Sequence, residues 1–165
     1  MAKEILPPTD QRFAPLGEAK EIANALMQEY KVKFGDLATA RMLFLSKVGG
    51  IKLHGERKAA TVKTCTGEKK FLSRSQENSM EGWDFIVTFC AEIWAQSDDK
   101  LRKRIVFHEL KHCLRVEKDD GSTQWRLVPH DLETFYDEVD IFGSSGRELN
   151  DLIMQIVASK EKEKD

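Results

Sequence analysis

An α+β chain, with a small and mostly antiparallel sheet packed on helices, is the expectation from three features of this 165-residue sequence. Apolar residues recur at helical spacing near the N-terminus, short β-rich runs punctuated by glycine fill the middle, and a long stretch free of Pro and Gly follows. With 41% hydrophobic residues there is enough apolar surface for one core, so a single domain over residues 1–165 is expected, with 1–15 and 160–165 as flexible ends.

The elements follow in order. After a proline-containing arm, Leu16 to Tyr30 places Ala19, Ile22, Ala23, Leu26 and Tyr30 on one face, which predicts a first amphipathic helix. Arg41 to Val48 reads as a strand ended by Gly49-Gly50. Ala59 to Cys65 alternates through Ala60, Val62 and Thr64 and reads as a second, and Lys69 to Leu72 is expected to extend the sheet. Ser73 to Gly82 is polar and reads as a loop. Asp84 to Ala91 is aromatic and β-branched on both faces, which suits a buried strand.

A helix from Asp98 to Val116 is predicted next. Ser97 offers an N-cap hydroxyl, and Asp98 and Asp99 place negative charge in the first turn, where the helix dipole favours it. Leu101, Ile105, His108 and His112 form one inward stripe, while Lys100, Arg102, Lys103 and Arg104 point elsewhere and are expected in solvent. The turn cluster Lys118 to Ser122, a short strand at Gln124 to Val128, a helix after His130 and a last helix from Arg147 to Ser159 complete the order; no internal repeat is visible.

Within that helix, His108-Glu109-Leu110-Lys111-His112 reads as HExxH. Residues four apart lie one above the other on a helix, so both imidazoles address one ion while Glu109 sits beside them. This is the ligand geometry of a zinc hydrolase. Catalytic zinc takes three protein ligands and leaves a position for water, so a third must come from elsewhere. His130, eighteen residues after His112, is the preferred candidate because the intervening turn and strand let the chain reverse. Glu133 and Asp131 compete, as carboxylates also complete such sites; beside a ligating His130, either could orient a ligand instead. His54, among Lys52, Gly55, Glu56 and Arg57, reads as an exposed surface residue. Tyr136, Arg126 and Arg115 are candidates for oxyanion stabilisation, unranked by sequence. Trp83 and Trp94 read as packing anchors.

These residues carry a resemblance. His108 to Cys113, the spacer, Pro129 to Phe135 and the preceding Trp83-Asp84-Phe85-Ile86-Val87 with Trp94 resemble the phage metallopeptidase family, a zincin-like group, over about Arg41 to Gly143. More distantly the pattern is similar to SprT-like zinc proteases. The resemblance implies His108, His112 and His130 as Zn2+ ligands, Glu109 as general base, a protein or peptide substrate and a zincin-like fold. By the same analogy the strand at Asp84 to Ala91 would lie at the cleft edge and pair with extended peptide; an ordinary core strand is the competing reading.

Three function classes follow: a zinc peptidase, a zinc-bound interaction module of a phage or prokaryote without turnover, and a nucleic-acid-binding protein or DNA-associated protease. The last rests on Arg102, Lys103 and Arg104 with Lys47, Lys52, Arg57 and Lys58, against a net charge of -2 that gives no global attraction to polyanions. Cys65, Cys90 and Cys113 are odd in number and lack C-x-x-C spacing, so a reduced chain without disulfides is expected, with Cys113 in a packing role. Met1 to Leu6 carries Lys3 and Glu4 and reaches Pro7-Pro8 before any signal-like apolar core, and no run of about 18 apolar residues spans a membrane. A cytoplasmic location is the expectation.

Overall fold

A computed structural model describes residues 8–130 and residues 141, 142, 151, 155, 156 and 158. The described part is α+β. Its strands are β1 (Phe13–Pro15), β2 (Met42–Lys47), β3 (Ile51–Leu53), β4 (Glu56–Lys58), β5 (Ala60–Thr64), β6 (Phe85–Cys90), β7 (Cys113–Glu117) and β8 (Thr123–Leu127). Its α-helices are α1 (Gly17–Glu29), α2 (Lys31–Phe34), α3 (Gly67–Leu72), α4 (Ala91–Gln96) and α5 (Asp99–Lys111).

The main sheet has the order β1-β2-β6-β5, with β2 and β6 parallel and the two outer pairings antiparallel. Two hairpins, β3–β4 and β7–β8, form separate two-stranded sheets. The β3–β4 turn is a two-residue connection with His54 and Gly55 at φ of 51° and 82°, the left-handed pair that matches strand twist in a tight hairpin. His54 is exposed there, as expected.

The core forms where α1 and α5 pack on the sheet. Phe85, Val87 and Phe89 of β6 are fully buried, as are Ala19 and Ala23 of α1 and Val106 and Phe107 of α5. The small alanines let α1 approach α5 closely, and Phe107 meets the edges of Tyr30, Phe34 and Phe142 at centroid distances of 5.6, 5.1 and 5.4 Å. Each buried aromatic ring of this kind contributes about 1.5–3 kcal/mol. One polar latch crosses the same seam. Glu18 accepts from the Trp94 indole at 3.0 Å and from Arg102 at 2.7 Å, and Arg102 also donates to the Trp94 carbonyl. The indole bond, followed by the guanidinium, holds the Glu18 carboxyl below its usual range.

Several expectations need correction. Lys69 to Leu72 is not strand but part of α3, in keeping with its helix-forming Glu, Lys and Leu residues. Asp98 rather than Ser97 caps α5, accepting from Leu101 N at 2.8 Å, while the Ser97 hydroxyl donates to Ile93 O at the end of α4. The helix stops at Lys111 instead of running to Val116, because Cys113 to Glu117 pairs antiparallel with Thr123 to Leu127 across a turn whose Gly121 sits at φ 79°. Ladder hydrogen bonds there outweigh a helical propensity that is only a weak prior. Arg104 was expected in solvent and is 7% exposed. Of the two readings of β6, the core strand holds: it lies between β2 and β5 with its backbone paired on both sides, and the edge strands are β1 and β5. Of the helices expected after His130 and from Arg147, residues 141, 142, 151, 155, 156 and 158 are described and all are helical; the rest of them, the tail from Lys160, and Asp131, Glu133 and Tyr136 fall outside the described residues.

Asp84, at the mouth of β6, is 1% exposed and joins three segments. Its carboxylate accepts from Lys70 at 2.6 Å and from Arg41 N at 2.8 Å, tying α3 and the start of β2 to the central strand. All three cysteines are free and buried, and burial pushes the thiols of Cys65, Cys90 and Cys113 up. Among the described residues no helix is long and apolar enough to cross a membrane.

Two measurements check this architecture. Asp84→Asn weakens a charged, buried acceptor with two donors, so urea unfolding should show a loss of about 2 kcal/mol; an unchanged midpoint would contradict the role given to Asp84. Thiol labelling at about pH 8, just below the ordinary cysteine pKa, should be much slower in the folded chain than in denaturant at all three positions; rapid native labelling of Cys113 would show an accessible, activated thiol instead.

Candidate metal centre

The last turn of α5 and the exit of β8 meet at three histidines. His108 and His112 lie one turn apart on α5 and its C-cap, both half-buried, and His130 is the exposed third. Ring centroids are 5.1 Å apart for His108 and His112, 4.7 Å for His108 and His130, and 4.4 Å for His112 and His130. One nitrogen from each ring lies within 4.8 Å of the others, a group that could hold a metal ion.

Local chain geometry explains the convergence. The β7–β8 register places Cys113 opposite Leu127. The next pair continues it: Val128 N donates to His112 O at 2.8 Å, and the His112 ring meets Val128 O through Nδ1 at 2.7 Å. A carbonyl only accepts, so Nδ1 carries the proton and Nε2 keeps its lone pair for a ligand role. Pro129 follows with no N–H to extend the ladder, and His130 comes next, opposite the helix end. The Nε2 atoms of His130 and His108 are 2.8 Å apart. Tetrahedral zinc ligation at about 2.0–2.1 Å would set them roughly 3.3 Å apart, so the donor set fits such an ion after a small opening.

The histidines stand in a cleft of about 850 Å³. One wall is Ala59 to Val62, reaching along β5; another is Arg104, Ile105, His108, Glu109 and His112 of α5; Leu127 to His130 and the β3–β4 hairpin close the ends. Glu109, buried at 6% exposure, lines the same space as the histidines. The β5 edge facing away from β6 pairs with no described strand. Cys113 is turned away: its thiol points at the Glu109 carbonyl at 3.5 Å within the core, in the packing role expected of it.

Sequence reasoning therefore brought His108, Glu109, His112 and His130 to one place. It did not find Arg104, although the spacing of four to His108 carries the signal, nor Arg57 or the β5 edge. Arg115 and Arg126, considered for oxyanion stabilisation, are exposed on β7 and β8 and are not among the described residues lining the cleft.

Neither a curated protein nor a solved structure matches this chain. A family model does, over residues 12–157, which includes the histidine group, the cleft and the whole sheet. The chain belongs to the family described as "Putative phage metallopeptidase".

Proposed function

We propose that this protein is a zinc-dependent peptidase, with His108, His112 and His130 as metal ligands and Glu109 as general base. The observation that carries the reading is the approach of His130 to the HExxH pair inside a cleft that also holds a buried carboxylate. Family membership supports a metallopeptidase. Three imidazoles are the protein ligand set of an open catalytic site rather than a closed structural one, which favours turnover over a silent zinc module. Zinc, when bound, would supply polarisation of the scissile carbonyl and a water of pKa about 7.

The chain's own residues do the rest. Glu109 takes the attacking water's proton and returns it to the leaving amine, work worth about 10²- to 10⁴-fold. His112 is held in the right tautomer by Val128 O. The unpaired β5 edge offers backbone donors and acceptors to an extended peptide, a form of strand addition that would lay the scissile bond across the histidines. This gives β5 the substrate-pairing role that analogy with zincins offered for β6 beside the core-strand reading.

Two variants test the assignment. Glu109→Gln should retain metal and lose turnover of a peptide library by about 10²- to 10⁴-fold, with chelator abolishing wild-type activity. Full activity in that variant removes Glu109 from the chemistry. His130→Ala should lower zinc affinity by more than the roughly 10- to 100-fold typical of outer hydrogen-bond partners; unchanged metal content by elemental analysis rules it out as a ligand.

A further inference from the structure

The β3–β4 hairpin carries an electrostatic oddity at one end of the cleft. Lys52 and Arg57 are direct cross-strand partners, so their side chains leave the same face of a three-pair hairpin. Like charges placed directly opposite one another destabilise such a pairing. Among the described residues neither cation has an ion-pair or hydrogen-bond partner, whereas Lys58 on the other face is neutralised by Glu56 at 2.7 Å. Arg57 is half-buried and lines the cleft, only two residues before the strand edge at Ala59 and Ala60 begins.

The acids of the same lining are committed elsewhere: Glu56 to Lys58, and Glu109 to the proposed proton transfer. Arg104, itself partnered, is the other arginine of the lining. Beyond the histidines, the opposite end is apolar, formed by Leu127, Val128 and Pro129, while Leu53, paired with Glu56 on the other face of the hairpin, is an exposed apolar side chain of the same lining. A peptide extended along β5 would thus meet positive charge at the hairpin end and an apolar surface at the β8 end.

We propose that Arg57, backed by Lys52, is a specificity residue that recognises a carboxylate of the substrate at the hairpin end of the cleft. Guanidinium pairs carboxylate through two parallel hydrogen bonds, a geometry that a partly desolvated site strengthens. The carboxylate is either an internal Asp or Glu side chain or the free C-terminus of the substrate. This proposal deepens the peptidase reading and rests on it for the choice of a peptide ligand.

The test separates the two. Zinc-loaded Glu109→Gln protein is titrated with fluorescent peptides matched in length, one neutral and amidated, one with an internal Glu and amidated, one neutral with a free C-terminus. The internal-acid or free-acid peptide should bind about tenfold or more tightly than the neutral one, with the difference collapsing toward one in Arg57→Ala and partly recovering in Arg57→Lys. Which peptide gains tells the source of the carboxylate. Equal affinity for all three, a preference that survives Arg57→Ala, or no binding of any peptide overturns the proposal. Turnover by the wild-type chain is read separately: a carboxylate-dependent ligand that is bound but never cut keeps the role of Arg57 and removes the peptidase, while unselective cutting and binding does the reverse.

Discussion

The pair formed by His112 and Val128 holds the candidate centre together. Two bonds link them, backbone to backbone at 2.8 Å and imidazole to carbonyl at 2.7 Å, at the point where α5 ends and β8 leaves the hairpin. The first fixes where the chain lies when it reaches Pro129 and His130. The second fixes which nitrogen of His112 is available. Position and protonation state of the donor set are therefore set by one residue pair, and the β7–β8 turn exists to bring its members together.

That arrangement depends on a rigid helix behind it. From Arg104 to Leu110, α5 is buried on most sides, with His108 only half-buried among Ile105, Val106, Phe107, Glu109 and Leu110. A helix packed so closely has few rotamers open to its side chains, so the two histidines it carries are preorganised by the core rather than by solvent-exposed contacts. The cost is a buried guanidinium and a buried carboxylate next to the histidines. Both Arg104 and Glu109 are partnered, as groups so far from water must be.

The sheet explains why the cleft lies where it does. β6, the most apolar strand, takes the centre because both of its faces and both of its edges can then be satisfied. β5, more polar and carrying Lys63 outward, is left at the edge beside α5 and the histidine group. It pairs with β6 over five registered pairs, from Ala60 opposite Phe89 to Thr64 opposite Phe85, and its first three residues, Ala60 to Val62, line the cleft.

Local chemistry settled much of this from sequence alone. The α1 stripe of Ala19, Ala23 and Leu26, the strands at Met42, Ala60 and Phe85, and the HExxH pair all follow from side-chain periodicity, which depends only on near neighbours in the chain. Those features were legible for that reason. What tertiary structure alone decided is what a pairing partner can override: the end of α5 at Lys111 in favour of β7, the central place of β6, and the burial of Arg104. Each of these turns on hydrogen bonds or burial between segments distant in sequence, and no local pattern of residues encodes which distant segment will supply them.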